Sequence, residues 1–233
     1  MASARQQTEL PRPALRGHSA LARSLAPASD AASEVMAGAT DRAARKLNDL
    51  ARRAGHAGFP AARRAVAAAG IAATTEAIRI YRAGGVLSGM GELAWLSVVM
   101  ADPWVRDDAL TRLLPEHRKA HRRLCTELTV WSRPGYVAAP ACLLAFTALQ
   151  SGAVKLADLA LDRALADRPG YRLALQLRHR SLTGHRGRDA APPATAEQVA
   201  AWYERQLKPG LRRSGPMRRG PARVGGEPGP VLD

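Results

Sequence analysis

The sequence predicts an all-α protein, and three observations support this fold class. Hydrophobic residues make up 46% of the 233 residues, whereas aromatic residues make up only 4%. A core of that composition is expected to form from alanine and leucine side chains between helices, and alanine-rich segments favour helix strongly. The sequence also lacks runs in which β-branched and aromatic residues alternate with polar ones, as they do in strands. We therefore expect seven or eight helices, arranged as antiparallel hairpins.

The clearest local pattern lies in residues 140–177 and predicts a tetratricopeptide-like hairpin at the C-terminal end of the domain. We expect Gly152 to close its first helix. Pro169 should end the second helix, because a proline inside a helix loses a backbone donor and clashes with the preceding turn. The second helix carries a stripe of small residues that lets a neighbouring helix approach closely, namely Ala157, Ala160 and Ala164. Hairpins of this kind build interaction scaffolds.

A four-residue motif occurs twice in this part of the chain. Arg133-Pro134-Gly135-Tyr136 recurs as Arg168-Pro169-Gly170-Tyr171, an offset of 35 residues that is close to the tetratricopeptide repeat length of about 34. Upstream of the first copy, however, Arg122 and Thr129 stand where the second copy has alanines of the small-residue stripe. The sequence thus predicts one hairpin with a degenerate neighbour, and chance recurrence of the motif is the alternative.

Three helices are expected in the N-terminal half. The first runs from Asp30 or Ser33 to about residue 53, and its expected core residues are Val35, Ala39, Leu47 and Leu50. The second covers residues 61–82 and passes over Gly70, where we expect a kink or break because its apolar residues are sparse and glycine disfavours helix interiors. Ser88 is expected to cap the third, whose heavy apolar residues are Leu93, Trp95, Leu96, Val99 and Met100.

The following helices have clearer boundary signals. Asp102 and Pro103 occupy the preferred N-cap and first helical positions of a helix over residues 103–114. A basic helix over residues 115–131 comes next, and the apolar residues 137–149 should form the buried central helix. Near the C-terminus, Thr195 and Gln198 form a capping box for a short helix ending near residue 207. Its apolar residues Val199, Trp202 and Tyr203 are expected to dock on the domain.

These signals divide the chain into five segments. We expect a flexible N-terminal segment over 1–28, a helical domain over 29–184, a linker over 185–194, the short docked helix over 195–207 and a disordered basic tail over 208–233. The first residues lack the apolar stretch of a signal peptide, and no apolar run reaches the ~20 residues that span a bilayer. Two cysteines, Cys125 and Cys142, do not suggest a disulfide framework. A cytoplasmic protein without membrane partners is expected.

The formal net charge of +15 raises the question of a polyanionic partner. Only four of the 35 basic residues are lysines, and an arginine bias of this kind, spread along the chain, also follows from GC-rich codons. The candidate nucleic-acid contacts lie on the basic helix and in the tail: Arg118, Arg122, Arg123, Arg212, Arg213, Arg218 and Arg219. Such contacts would be weak and non-specific, because no residues here are arranged to recognise bases.

Two clusters of reactive side chains have simpler structural explanations. His117, His121 and Cys125 share one helix face and could bind zinc, but four neighbouring cationic side chains would repel a metal ion. The carboxylates of Asp102, Asp107 and Asp108 could form a catalytic pair, yet their position at a helix start suits capping and the helix dipole. The sequence therefore predicts no catalytic, cofactor or metal residues, and no enzyme activity.

The C-terminal helices resemble an actinobacterial family known as domain of unknown function 4192. The resemblance rests on Gly152, on the run Ala-Leu-Asp-Arg-Ala-Leu-Ala at 160–166 and on the Pro-Gly-Tyr that begins at Pro169. Residues 101–110 and 17–27 resemble the family's helix start and its linker. Members of that family usually begin with an α/β half, which this sequence lacks, so the resemblance implies the helical half alone and no reaction.

We therefore expect a non-enzymatic helical module whose partner is another protein. One alternative is a nucleic-acid-associated protein that binds phosphates through arginines, and a second is a truncated remnant of a larger two-part protein.

Overall fold

The computed structural model describes Leu25, residues 30–183 and residues 194–208. These residues form nine α-helices and no strand, which confirms the all-α prediction. The helices are α1 Asp30–Gly55, α2 Phe59–Arg82, α3 Met90–Val99, α4 Pro103–Thr111, α5 Arg118–Trp131, α6 Ala138–Gln150, α7 Val154–Asp167, α8 Arg172–Leu182 and α9 Ala196–Leu207. A 3-10 turn, Pro115–His117, precedes α5. The expected segments 1–28, 185–194 and 208–233 lie outside the described residues, apart from Leu25, Ala194 and Lys208.

Helix α6 forms the centre of the fold, as its apolar sequence predicts. All 13 of its residues are buried, with α5, α7 and α8 packed around it. Gly152 closes α6 with a backbone φ of +70°, a left-handed conformation that glycine adopts without strain. The amide of Ala153 then donates to the carbonyl of Ala148 at 2.9 Å, which completes a Schellman cap. The predicted end of this helix is confirmed.

The small-residue stripe on α7 is buried as expected. Ala157, Ala160 and Ala164 have no exposed surface, and α7 packs closely along α6. Helix α8 adds Leu173, Ala174 and Leu177 to the same core. The hairpin of α6 and α7 and the following helix α8 therefore form one layered unit at the C-terminal end of the domain.

The two copies of the Arg-Pro-Gly-Tyr motif come together through the residue before the second copy. The carboxylate of Asp167 accepts hydrogen bonds from the amides of Gly135, Val137 and Ala138 at 2.5, 3.1 and 3.0 Å. These amides belong to the turn that starts α6, where the helix has no side-chain cap of its own. The end of α7 thus satisfies the amides at the start of α6.

The expected break at Gly70 is wrong, because α2 is one continuous helix from Phe59 to Arg82. Gly70 is buried where α4 crosses α2. A Cβ atom at this position would lie 2.9 Å from Cγ1 of Val105 and closer still to Cγ2. The glycine therefore allows two helices to approach closely, a requirement that lies in the tertiary contact and not in the sequence of α2.

Two further expectations for the N-terminal helices are wrong. Val35 is 58% exposed, because the buried stripe of α1 runs through Met36, Ala39 and Ala43, and adjacent residues on a helix point in different directions. Ser88 does not cap α3, which begins at Met90 after Gly89. The Ser88 amide instead donates to the carboxylate of Glu92 at 2.8 Å.

Helix α9 docks on α4, a helix from the middle of the chain. Its capping box forms as predicted, with the Thr195 hydroxyl accepting from the Gln198 amide and the Gln198 side chain accepting from the Thr195 amide. Val199 is fully buried and Tyr203 is 8% exposed, while Trp202 is half-buried. The expectation that these residues dock is confirmed.

Candidate functional site

The carboxylates at the start of α4 are each engaged by an arginine. Asp102 caps α4 by accepting a hydrogen bond from the Trp104 amide at 2.9 Å, and it also pairs with Arg63 of α2. Asp108 accepts from Nε of Arg112 at 2.6 Å. The predicted capping role of Asp102 is confirmed, and both carboxylates have structural partners.

Asp107 lies at the centre of a buried polar network. Its carboxylate accepts from Nε of Arg106 at 2.7 Å and from the hydroxyl of Tyr203 on α9 at 2.7 Å. Arg106 also donates to the hydroxyl of Tyr171, at the start of α8, at 3.1 Å. Burial raises the pKa of the Asp107 carboxyl, although Arg106 opposes this shift. Sequence reasoning placed Asp107 in the field of the helix dipole but did not find its contact with Tyr203, because Tyr203 stands 96 positions further along the chain.

The basic residues predicted on α5 separate into two groups. Arg118 and Arg122 line a cleft of about 670 Å³, which we call the α5 cleft. Its lining also includes Glu116, His117, Lys119 and Ser151. Arg123 points elsewhere, with its guanidinium carbon 5.7 Å from the ring centroid of Tyr81. It also pairs with Glu127 at 3.6 Å.

The remaining predicted nucleic-acid residues cannot be added to this surface. Arg212, Arg213, Arg218 and Arg219 lie outside the described residues. Of the three predicted arginines that the structure describes, Arg118 and Arg122 lie together, and Lys119 lies beside them.

The stripe of His117, His121 and Cys125 extends from the surface into the core. The two imidazole rings lie 6.1 Å apart, and His121 is fully buried. Neither ring nitrogen of His121 has a hydrogen-bond partner among the described residues. Burial, with the positive charges of Arg82 and His117, lowers the pKa of His121 to about 4. Burial raises the pKa of the Cys125 thiol to about 12. Across the described part of the chain, no group of three or more histidine, cysteine or acidic side chains could hold a metal ion.

Helix α8 carries an apolar outer face that sequence reasoning missed. Leu175 is 49% exposed and Leu182 is 77% exposed, and their spacing of seven residues places them on one side of the helix. His179 lies exposed between them. We call this surface the α8 edge, and it comprises Arg172, Leu175, His179 and Leu182. The sequence does carry a signal for this surface, because α8 has leucines on two of its faces. Only one of these faces can pack against α6 and α7, so the other must be exposed.

An apolar groove lies where α1, α2 and α3 meet. It encloses about 420 Å³ and is lined by apolar side chains that include Ile80, Leu87 and Trp95. The ammonium group of Lys46 lies over the Trp95 ring, 4.6 Å from its centroid. Glu76 and Glu92 stand at the same groove, so charges of both signs surround its apolar floor.

None of the described helices is long and apolar enough to cross a membrane.

Comparisons with known proteins identify the family but no characterised relative. No curated protein and no solved structure matches this chain. Residues 5–188 match a family described as Domain of unknown function (DUF4192). This match covers well over half of the sequence, and it agrees with the family that the C-terminal motifs suggested. The chain therefore belongs to the DUF4192 family.

Proposed function

We propose that the chain is a non-enzymatic helical module that binds another protein through the α8 edge. The observation that carries the proposal is the exposed apolar face of α8, with Leu175 and Leu182 turned away from the core. In stacked helical repeats, each unit buries its outer face against the next unit. Helix α9 follows α8 in sequence, but it packs on α4, and among the described residues Leu175 and Leu182 stay exposed.

The engagement of the α4 carboxylates supports the non-enzymatic part of the proposal. A catalytic carboxylate needs an accessible oxygen within reach of a substrate. Asp107 is 2% exposed and is held by Arg106 and Tyr203, and the oxygens of Asp108 pair with Arg112. These carboxylates stabilise the packing of α4 against its neighbours.

The charge of α8 favours a partner that presents an acidic amphipathic helix. The helix contains three arginines and one histidine but no acidic residue, although one of the arginines, Arg178, already pairs with Asp162 of α7 at 2.6 Å. A second copy of this chain, docked α8 against α8, would bring these cations together and would be disfavoured. An acidic helix with apolar residues at spacings of three and four could cover Leu175 and Leu182 while its carboxylates meet the arginines.

A phage-displayed library of amphipathic helical peptides, panned against the full chain, tests this proposal. Enriched peptides should combine an apolar stripe with flanking aspartate or glutamate. The double substitution Leu175→Asp and Leu182→Asp should abolish their binding, whereas Ala166→Asp, at an exposed position on α7, should leave it unchanged. Enrichment of basic peptides, or full binding by the double variant, would contradict the proposal.

The second candidate is a nucleic-acid-associated protein that binds phosphates through arginines. The exposed cations of α5 and the net charge of +15 favour it. Binding of this kind weakens steeply with salt, by about 0.9 log unit per phosphate contact for each decade of salt. Deleting residues 209–233 removes Arg212, Arg213, Arg218, Arg219 and Arg223, so it should reduce both the affinity for random duplex DNA and its salt dependence. Tight, sequence-selective binding that survives the deletion would contradict this non-specific mode.

A further inference from the structure

The cations that line the α5 cleft lack the ion pairs that other arginines of this protein make. Arg118, Lys119 and Arg122 form no ion pair with any described residue. The next cation on the helix, Arg123, lies outside the cleft and is paired with Glu127. Three like charges within two helical turns repel each other, and only one carboxylate, that of Glu116, lines the cleft with them.

One of these cations is held in place by the backbone. The Nε of Arg118 donates to the carbonyl of Pro115 at 2.8 Å, and the side chain is half-buried. This bond fixes the guanidinium plane against the 3-10 turn and leaves its remaining N–H groups without a partner among the described residues. A guanidinium that is already oriented loses less conformational entropy when it binds an anion.

His121 lies in the core behind the α5 cleft, next to His117 of the cleft lining. Its imidazole is fully buried, both nitrogens are unpartnered in the described part of the chain, and the ring lies 6.1 Å from that of His117 in the cleft wall. Burial lowers the pKa of His121 and favours its neutral form, the nearby charge of Arg82 acts in the same direction, and Glu116 opposes both. Because His121 lies beside a residue of the cleft lining, its signals can report on a ligand that binds in the cleft.

We propose that the α5 cleft binds a small phosphate ester, with its phosphate group between Arg118, Lys119 and Arg122. Guanidinium groups match the geometry of phosphate oxygens, and an ammonium group adds a point charge. The cleft volume of about 670 Å³ falls within the usual range of small-ligand sites, roughly 300–1,000 Å³. Glu116 would repel a continuous phosphate backbone but can accept a hydrogen bond from a ligand hydroxyl. The site is separate from the α8 edge, so it does not depend on the proposed protein partner.

Calorimetric titration of the full chain with AMP, ATP, adenosine and a random 20-base-pair DNA duplex tests this inference. AMP and ATP should bind near physiological salt, and adenosine, which lacks the phosphate, should not. Arg122→Gln and Lys119→Gln should each weaken AMP binding about tenfold, the loss expected for one charge-assisted hydrogen bond. Arg123→Gln, which removes the same charge from the same helix outside the cleft, should leave AMP binding within about twofold of the original chain.

Nuclear magnetic resonance of the imidazole nitrogens provides a second readout at the site itself. AMP should shift the signals of His121 and His117 in the original chain but not in a chain carrying both Lys119→Gln and Arg122→Gln. These positions are exposed, so both variants should retain the helical circular dichroism spectrum of the original chain.

Equal losses of AMP binding from Arg122→Gln and Arg123→Gln would overturn the proposal, because binding would then follow overall charge. Binding of the duplex without AMP or ATP would also overturn it in favour of a polyanion surface, as would no binding by any probe.

Discussion

At the scale of single residues, the least expected feature is the burial of polar groups without partners. His121 is the clearest case, because a neutral imidazole occupies a site where neither nitrogen makes a hydrogen bond to a described residue. Leaving a buried polar group unsatisfied costs roughly 1–3 kcal/mol. The spacing of His117, His121 and Cys125 in the sequence suggested a shared helix face. It could not show that His121 is already buried on that face, one turn after the partly exposed His117.

The burial of His121 predicts acid sensitivity. Its pKa is about 4 in the folded chain, whereas an unfolded histidine titrates near 6.5. The unfolded state therefore binds more protons between these values, and the free energy of unfolding should fall by up to about 1.4 kcal/mol per pH unit as the pH decreases from about 6.5 to about 4. Urea unfolding at pH 7, 6 and 5 measures this slope. His121→Leu should flatten it, and His179→Leu, at an exposed position on α8, should not. An unchanged slope in His121→Leu would mean that other groups cause the acid sensitivity.

Gly70 predicts a substitution that opposes helix propensity. Gly70→Ala adds a methyl group against Val105, and overpacking of this kind costs about 1–3 kcal/mol. The gain of about 1 kcal/mol in helix propensity should not offset it fully. Gly38→Ala is the matched control, because its new methyl group would meet only the side chain of Arg42 at 3.5 Å, an ordinary contact. Thermal unfolding should therefore show a lower Tm for Gly70→Ala and a higher Tm for Gly38→Ala. Stabilisation by Gly70→Ala would show that α4 moves away at little cost.

At the scale of elements, the sequence predicted the helices whose ends carry strong local signals. Gly152, Asp102 and the Thr195 capping box act through their own backbone neighbours, so their roles follow from local chemistry. The role of Gly70 depends on a different helix, and the burial of Met36 instead of Val35 depends on how α1 is rotated against its neighbours. Contacts of this kind are set by tertiary packing, which one sequence does not reveal.

The packing of α7 predicts different results at two alanines that are two residues apart. Ala164 is fully buried on the face that carries the small-residue stripe, and Ala166 is exposed. Ala164→Leu should cost about 1–3 kcal/mol through overpacking and should lower the Tm by several degrees. Ala166→Leu should change it little, because its side chain would extend into solvent. Differential scanning calorimetry measures both, and equal shifts would mean that the buried face of α7 is assigned incorrectly.

At the scale of the whole molecule, α4 connects distant parts of the chain. Its residues reach α2 through Arg63, the start of α8 through Tyr171 and α9 through Tyr203. The rings of Trp104 and Tyr203 stack with their centroids 5.2 Å apart, and Arg64 pairs with Glu204 at 2.8 Å beside them. Besides the buried side chain of Val199, helix α9 is therefore held by a buried hydrogen bond, an aromatic stack and an exposed ion pair, which differ in strength.

Removing the hydroxyl of Tyr203 should release α9 without unfolding the core. Tyr203→Phe keeps the ring stacked on Trp104 but leaves the buried Asp107 carboxylate without one of its donors, a loss of about 1.5–3 kcal/mol for a bond to a charged group. Glu204→Gln removes only the exposed pair with Arg64, which solvent screens so that it adds little to the stability. Native-state hydrogen exchange should show faster exchange of α9 amides in Tyr203→Phe, little change in Glu204→Gln and unchanged protection of α6 in both. If α6 and α9 lost protection together in Tyr203→Phe, α9 would belong to the same cooperative unit as the core, and the polar network of α4 would be part of the folding core itself.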